Sequence, residues 1–400
     1  MNTLTKVGIN IDNIPNKIKI ISIKKKEESN SKISIYSKPI LKWVGGKSQI
    51  LDKVLNKFPK EINNYHEIFL GGGSVLFGLL DIIKTNNIKI NGNIYAYDIN
   101  ETLINTYKNI QSNHNKLYKE LYAIITEFNE IKDTKNILLD SISTSIDINA
   151  NDANDANDAN DANDANDAND ANDANDANDA NDANNANNTN LEKQIKNKIN
   201  RKPINLEDAK KCKETYYYWI RNKYNKLLQN DKNSVFGSAL FIFLNKTCFR
   251  GVYRVGPNGF NVPYGHYNNP EIINYNHLVK IHILIQNVIF NTSNYSDSIA
   301  KINNADFVYL DPPYAPINSK SFVGYNQTGF SLQEHNKLFD LCVNLKQNNT
   351  KFLMSNSDVD LVKNKFSLLE YTTEIIECKR AINSKKPGSK CNEVLIYNYL

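Results

Sequence analysis

Residues 67–74 have the sequence Glu-Ile-Phe-Leu-Gly-Gly-Gly-Ser, and our prediction of the fold starts from them. Residues 67–70 predict a short strand, the glycines predict a tight turn, and the apolar spacing of residues 75–84 predicts a helix. A second predicted strand at 94–97 leads directly into Asp98. Strand, glycine turn, helix, strand and acid make up the βαβ unit of a nucleotide-binding sheet. We therefore predict the α/β fold class.

The glycine turn also suits a ligand that carries a ribose. Gly71 and Gly73 let the backbone approach a ligand closely at the start of a helix, and Asp98 can accept hydrogen bonds from ribose hydroxyls. The third glycine of the dinucleotide pattern G-x-G-x-x-G is missing, which favours an adenosyl ligand over a dinucleotide. A plain glycine turn without a ligand is the alternative.

A second informative stretch, Phe-Val-Tyr-Leu-Asp-Pro-Pro-Tyr at 307–314, places acceptor groups at the end of a predicted buried strand. Each proline fixes φ and lacks an N–H, so the Asp311 carboxylate and the Pro312 carbonyl are held as acceptors without a competing local donor. The exocyclic amino group of a flat base offers two donors to match. Tyr314 adds a ring face on which an extruded base can stack. The alternative is an ordinary strand-ending turn.

Residues 42–48, Lys-Trp-Val-Gly-Gly-Lys-Ser, end like a phosphate-binding loop. That motif needs a first glycine where this chain has Leu41, so we do not expect a nucleoside triphosphatase. Trp43 can instead stack on an adenine or attract a sulfonium through a cation–π contact, and Lys47 can meet a carboxylate. A core tryptophan and a solvated lysine remain the alternative.

Arginines alternate with aromatic and loop-forming residues between positions 245 and 267. Arg250 and Arg254 belong to this segment, and arginine is the side chain best shaped for bidentate contact with guanine or phosphate. The preceding residues, 215–228, predict an aromatic helix of the same small module. A surface loop with scattered cations is the alternative.

Composition limits the class of protein. The net charge of +5 is compatible with a polyanionic partner without requiring one. The five cysteines are odd in number and do not cluster with the histidines, which predicts a reduced intracellular setting and no metal site. No stretch reaches the roughly 18 apolar residues of a membrane span, so we expect a soluble protein, cytoplasmic or nuclear depending on the host cell.

The chain divides into five predicted parts. Residues 1–38 are an N-terminal arm, and residues 151–183 repeat Asn-Asp-Ala eleven times. Because alanine is the largest apolar residue in this repeat, nothing it could bury would offset the entropy of ordering it. The remaining predicted parts are a ligand-binding part at 39–134, a disordered insertion at 135–205 that contains the repeat, a recognition domain at 206–270 and a catalytic part at 271–400.

Taken together and in this order, these motifs resemble those of Dam-type DNA adenine-N6 methyltransferases of the α group. The similarity spans residues 39–110 and 214–398. The matching segments are 41–47, 67–73 (with Ile68 in place of a proline), 98–105, 259–265, 311–314, 353–356, 380–383 and 393–395. The resemblance implies a Rossmann-like class I methyltransferase sheet with helices on both faces, plus a small, mainly helical target-recognition domain.

The resemblance also implies roles for individual residues. S-adenosyl-L-methionine would be bound by Trp43, Lys47, Phe69, Gly71, Gly73, Asp98 and Asp311. Catalysis would use Asp311, Pro312, Pro313 and Tyr314. DNA would be bound by Lys42, Phe249, Arg250, Arg254 and Asn261.

The activity implied by the resemblance is site-specific methylation of a flipped adenine in double-stranded DNA, at GATC or a related site. Arg250 stands where the family commonly has an asparagine, so the chain departs from the GATC pattern at that position. We expect a monomer, with a restriction endonuclease as a partner in the same system. The alternatives are a cytosine-N4 methyltransferase, since the same geometry serves any exocyclic amine, and a non-enzymatic DNA-binding protein with the same fold.

Overall fold

The structure is a computed structural model that describes residues 36–132, 199–315, 330–366, 370–379 and 390–399. These residues belong to one compact unit that begins at Tyr36. Nearly all of the predicted N-terminal arm and the whole Asn-Asp-Ala repeat lie outside the described residues. The predicted division into five parts therefore stays a prediction.

A seven-stranded sheet forms the centre of this unit. Its strands are β2 (Tyr65–Glu67), β4 (Ile94–Asp98), β7 (Val288–Thr292), β8 (Phe307–Leu310), β9 (Lys351–Ser357), β10 (Thr372–Lys379) and β11 (Lys390–Tyr397). Their order across the sheet is β10-β11-β9-β8-β2-β4-β7. The pairs from β9 to β7 are all parallel, and β11 is antiparallel to both of its neighbours. Two small pairs accompany the sheet: β1 (Glu61–Ile62) with β3 (Lys89–Ile90), and β5 (Val255–Gly256) with β6 (Gly259–Phe260).

The helices cover the sheet and extend away from it. They are α1 (Leu51–Leu55), α2 (Ser74–Lys84), α3 (Glu101–Asn129), α4 (Leu206–Ala209), α5 (Lys213–Lys226), α6 (Gln229–Lys232), α7 (Val235–Thr247), α8 (Tyr275–Leu284), α9 (Tyr295–Ile299), α10 (Leu332–Gln347) and α11 (Asp360–Lys365). A 3-10 turn, Phe249–Gly251, follows α7. Polar side chains start several of these helices; Asn100, for example, accepts a hydrogen bond from the Leu103 N–H at the start of α3.

Strand β8 shows why helices lie on both faces of the sheet. All four of its residues are buried. Phe307 and Tyr309 belong to one apolar cluster, whereas Val308 and Leu310 belong to the other. Since alternate side chains of a strand point to opposite faces, both faces of the sheet are covered, as the continuous apolar run requires.

The α/β prediction is confirmed as a mixed α/β structure with a mainly parallel central sheet. The predicted strand at 67–70 starts earlier, at Tyr65, and its ladder ends at Glu67. The chain stays tied to the sheet beyond that point, because the Ile68 N–H donates to the Tyr309 carbonyl and the Leu70 N–H donates to the Tyr97 carbonyl.

The segment predicted as the recognition domain packs along α3. Helix α7 meets α3 through polar and aromatic contacts, since Asn109 donates to the Ser238 hydroxyl at 2.9 Å and the rings of Phe128 and Phe243 lie 5.3 Å apart. That this segment forms a separate recognition domain stays a prediction. The contact of its helix α7 with α3 is observed.

Candidate active site and nucleic-acid interface

Three of the predicted site segments meet at the carboxyl ends of neighbouring parallel strands. The glycine turn follows β2, Asp98 ends β4, and Asp311 follows β8. Asp98 Oδ2 accepts a hydrogen bond from the Gly71 N–H at 3.0 Å, so the first two segments are directly joined. This edge of an open α/β sheet is where such folds bind ligands.

Lys47 and Asp311 form an ion pair at the centre of the site. Lys47 Nζ lies 2.7 Å from Asp311 Oδ2 and also donates to the Gly45 carbonyl at 2.7 Å. The Lys47 backbone N–H donates to the Ser74 hydroxyl, which ties the segment to the start of α2. The Lys47 side chain is only 4% exposed. Lys47 was predicted to meet a carboxylate, and the carboxylate that it meets in this structure is Asp311.

The Asp311 carboxyl group is tuned by its surroundings. Burial raises its pKa to about 6, against the opposing effect of Lys47, and the nearby Glu393 carboxylate raises this pKa further. Its second oxygen, Oδ1, is buried and has no hydrogen-bond partner among the described residues. Asp311 therefore has one oxygen held in place and one oxygen that can accept a hydrogen bond.

The loop after β8 is fixed on both sides. The Lys47 ammonium lies 4.8 Å from the centroid of the Tyr314 ring, and the Tyr314 hydroxyl donates to Glu393 Oε2 at 2.8 Å. The Ala315 N–H donates to Asn356 Oδ1 at 3.0 Å. Pro312 is buried and Pro313 is exposed. The four predicted catalytic residues thus form one short, anchored loop.

A cleft of about 460 Å³ opens at the carboxyl end of β4, lined by Trp43, Tyr253, Asp98 and the first residues of α3. The Trp43 ring stacks on Tyr253 with centroids 5.7 Å apart. Gly71 lies against this ring at a φ of +50°, and a Cβ added there would be only 2.7 Å from Trp43 Cδ1. The close approach that was predicted for Gly71 is therefore an approach to Trp43.

Aromatic, acidic and apolar groups in the cleft fit an adenosyl ligand. Asp98 Oδ1 accepts from the Asn100 N–H at 2.9 Å, and burial raises the Asp98 pKa. Each carboxylate oxygen still has acceptor capacity for a ribose hydroxyl. Ile99 lies in the cleft with 76% of its surface exposed, which provides an apolar platform that the sequence alone did not single out.

Gly73 and Phe69 occupy supporting positions. Gly73 precedes α2 with a φ of +74°, a left-handed conformation that favours glycine. Phe69 stacks on Tyr295 at 5.9 Å and meets Phe330 edge to face. Their contacts with a cofactor stay predictions.

Glu67 is a buried acid that the sequence analysis used only as part of the glycine motif. It accepts a hydrogen bond from the Tyr65 hydroxyl at 2.7 Å, and burial raises its pKa to about 8. The charge of Asp311 acts in the same direction. Both effects favour the protonated form of Glu67. The sequence alone did not indicate that Glu67 would be buried, because an acid at the end of a short strand is ordinarily expected at the surface.

The predicted DNA-binding residues lie in two neighbouring groups. In the first group, Asn245 joins Lys42 to the 3-10 turn, because its side chain accepts from the Lys42 N–H and donates to the carbonyls of Lys42 and Gly251. The Lys42 ammonium lies 3.9 Å from the centroid of the Tyr267 ring. Asn245 was not among the predicted site residues.

The 3-10 turn and the β5–β6 hairpin carry the second group. Phe249 is 43% exposed, and Arg250 has a φ of +54° with its guanidinium 5.1 Å from the Phe249 ring. Arg254 Nε donates to Asn261 Oδ1 at 2.8 Å across the hairpin. An exposed aromatic ring beside the Arg250 guanidinium suits insertion into, and contact with, a nucleic acid.

Comparisons with known proteins agree with this geometry. A profile of the D12 class N6 adenine-specific DNA methyltransferases matches residues 43–161 and 170–382. The chain is 30% identical over 372 residues to the type II methyltransferase M.MjaIII of Methanocaldococcus jannaschii, covering 90% of this chain and 99% of the relative. It is 23% identical over 373 residues to the type II methyltransferase M1.LlaDCHI of Lactococcus lactis, covering 92% and 98%. It is 31% identical over 193 residues to the DNA adenine methylase of Escherichia coli K12, covering 47% and 66%.

The chain belongs to the D12 class N6 adenine-specific DNA methyltransferases. It is an enzyme that methylates adenine in DNA, so the predicted family and activity are confirmed. This assignment favours adenine N6 over cytosine N4 and over a non-enzymatic DNA-binding protein. In the part of the chain that the structure describes, no helix is both long enough and apolar enough to cross a membrane.

Proposed function

We propose that the enzyme transfers the methyl group of S-adenosyl-L-methionine to N6 of an adenine flipped out of double-stranded DNA. The observation that carries this proposal is the Asp311 carboxylate. Lys47 holds its Oδ2 at 2.7 Å, and its Oδ1 is unpaired among the described residues. When bound, S-adenosyl-L-methionine supplies an electrophilic methyl group on a positively charged sulfur.

Asp311 and Pro312 orient the amino group of the flipped adenine. The N6 lone pair is delocalised into the ring, so acceptance of both N6 protons by the Asp311 carboxylate and the Pro312 carbonyl localises electron density on nitrogen. N6 forms one bond to the methyl carbon as the bond between that carbon and the sulfonium sulfur breaks, the donor leaves as a neutral thioether, and N6 must lose one proton. Since burial raises the Asp311 pKa to about 6, this carboxylate is a stronger base than an ordinary aspartate.

The other predicted site residues hold the two substrates. Tyr314 stacks on the flipped base. Trp43 and Asp98 bind the adenosyl and ribose groups in the cleft, with Phe69, Gly71 and Gly73 shaping the turn beneath them. Lys47 keeps Asp311 ionised and in place, so the principal contact of Lys47 is with the catalytic carboxylate.

DNA is recognised by the five predicted DNA-binding residues, Lys42, Phe249, Arg250, Arg254 and Asn261. The exposure of Phe249 and the Arg254–Asn261 pair support this role. The recognition sequence is GATC or a related site. Any base that differs from GATC is expected at the position that Arg250 contacts. We further propose an intracellular monomer that acts with, or protects against, a restriction endonuclease of the same system.

The test is incubation of the full chain with labelled S-adenosyl-L-methionine and plasmid DNA that lacks adenine methylation. N6-methyladenine in the hydrolysed DNA is expected, and sequencing the modified adenines gives the recognition site. D311A should abolish transfer while DNA binding is retained. The matched control is D340A, which removes an exposed acid from α10. Substantial turnover by D311A would refute the role of this carboxylate.

A further inference from the structure

Glu393 is a carboxylate outside the predicted site that contacts the catalytic loop directly. It lies on β11, the antiparallel strand, opposite Ser357 of β9. Its Oε2 accepts the hydrogen bond from the Tyr314 hydroxyl at 2.8 Å. The side chain is half-buried, and a hydrogen bond to a charged acceptor is stronger than one between neutral groups.

Neighbouring residues of β9 hold the next residue of the same loop. Asn356 Oδ1 accepts from the Ala315 N–H, and the Ser357 hydroxyl donates to the Ala315 carbonyl at 2.5 Å. The backbone after Tyr314 is therefore fixed by β9, and the Tyr314 hydroxyl is fixed by β11. Among the residues that the structure describes, Glu393 accepts the hydrogen bond from the hydroxyl at the far end of the Tyr314 ring. Because a phenol O–H prefers to lie in the plane of its ring, the direction of this acceptor favours one orientation of the ring plane.

We propose that Glu393 is a positioning residue that sets the plane of the Tyr314 ring on which the flipped adenine stacks. This inference rests on the proposed function of Tyr314. A ring that is already oriented does not have to be ordered when the base arrives, so the base is held in line for transfer at a smaller entropic cost.

The charge of Glu393 has a second effect at the same site. Glu393 raises the pKa of Asp311 and Lys47 lowers it. The charge of Asp311 in turn raises the pKa of three neighbouring titratable groups, Glu67, Tyr309 and Tyr314. Removing the Glu393 charge should therefore lower the Asp311 pKa, and the acid limb of the pH–rate profile should move to lower pH. A residue with a purely structural role would not move this limb.

The experiment compares E393A, E393Q, Y314F and the double variant Y314F/E393A in the full chain, with unmethylated plasmid DNA and labelled S-adenosyl-L-methionine. E393A and Y314F should each lower kcat by about 10-fold with little change in KM for DNA, and the double variant should be no worse than either single variant. E393Q, whose amide oxygen can still accept the hydrogen bond, should keep most of the rate at pH 8 and should move the acid limb downward.

The control is E374Q on the neighbouring strand β10, where the glutamate pairs with Lys57 instead of the loop. It should leave kcat and the pH profile unchanged. Losses that multiply in the double variant would overturn the inference. An acid limb that does not move in E393Q would overturn it even if E393A fails to fold. If the wild-type chain methylates DNA and E393A matches it, only the inference fails; if the wild type transfers no methyl group, the proposed function fails and this inference falls with it.

Discussion

Lys47→Met should move the acid limb of the methylation rate to higher pH by about 2 units. The Lys47–Asp311 pair is 2.7 Å long and almost fully shielded from water on the lysine side. At an effective dielectric constant of about 20, two unit charges at this distance attract by roughly 6 kcal/mol before desolvation is counted. Breaking one side of a buried pair costs about 3–5 kcal/mol in practice. If ~3 kcal/mol of this appears in the ionisation of Asp311, the shift is about 2 units, at about 1.4 kcal/mol per unit.

The sign follows from the charge that is removed. Lys47 stabilises ionised Asp311, so its loss raises the Asp311 pKa above the value of about 6. Since the ionised form is the acceptor, the rate at pH 7 should fall about 10-fold and return near pH 9.5. The assay is the initial rate of methyl transfer between pH 5.5 and 9.5 at saturating S-adenosyl-L-methionine.

The matched variant Lys47→Arg keeps the positive charge and should leave the acid limb close to that of the wild type. Lys47→Met with an unmoved limb would refute the assigned role of the ion pair. A loss of rate that is equal at every pH would do so as well, because it would indicate that Lys47 acts only by binding the methyl donor.

Three other substitutions test separate parts of the site. Gly71→Ala should weaken S-adenosyl-L-methionine binding at least about 10-fold by calorimetry. The added Cβ would displace Trp43, and an alanine in this left-handed conformation costs about 1–2 kcal/mol. Gly46→Ala, whose Cβ would meet nothing closer than 3.5 Å, is the control. The folded state holds the Glu67 proton up to about pH 8 while the unfolded chain releases it near pH 4.5, so the free energy of unfolding falls by up to about 1.4 kcal/mol per pH unit as the pH rises between these values. Glu67→Gln should abolish this fall, which would be seen as a smaller pH dependence of Tm. Arg254→Ala should lower kcat/KM on the mapped site by about 10–100-fold and relax base preference there, while uniform weakening on all DNA would indicate a phosphate contact instead.

Local patterns predicted the parts of the fold that depend on nearby residues. The strand–turn–helix–strand unit around Gly71 was visible because apolar spacing and glycine position are local properties of the chain. The strand before Asp311 was visible for the same reason. Its exact partner strands were not, because parallel pairing joins segments that are far apart in sequence.

The contacts that define the site chemistry were harder to predict. Lys47 and Asp311 were each singled out for their chemistry, yet no spacing rule indicated that they would pair with one another. Glu393 matched a family segment without an assigned role, because only the folded sheet brings β11 beside Tyr314. Asn245 gave no signal at all, since an asparagine late in an apolar helix is equally compatible with a surface position.

The segment from Lys42 to Lys47 makes three different contacts within six residues. Its first residue meets the 3-10 turn through Asn245, its second lines the cleft with the Trp43 ring, and its last holds Asp311. Under the proposed function, a shift of this backbone is transmitted to DNA recognition, donor binding and methyl transfer together. Occupancy of the DNA site and of the donor site should consequently be thermodynamically coupled, and each ligand should change the affinity for the other by the same factor.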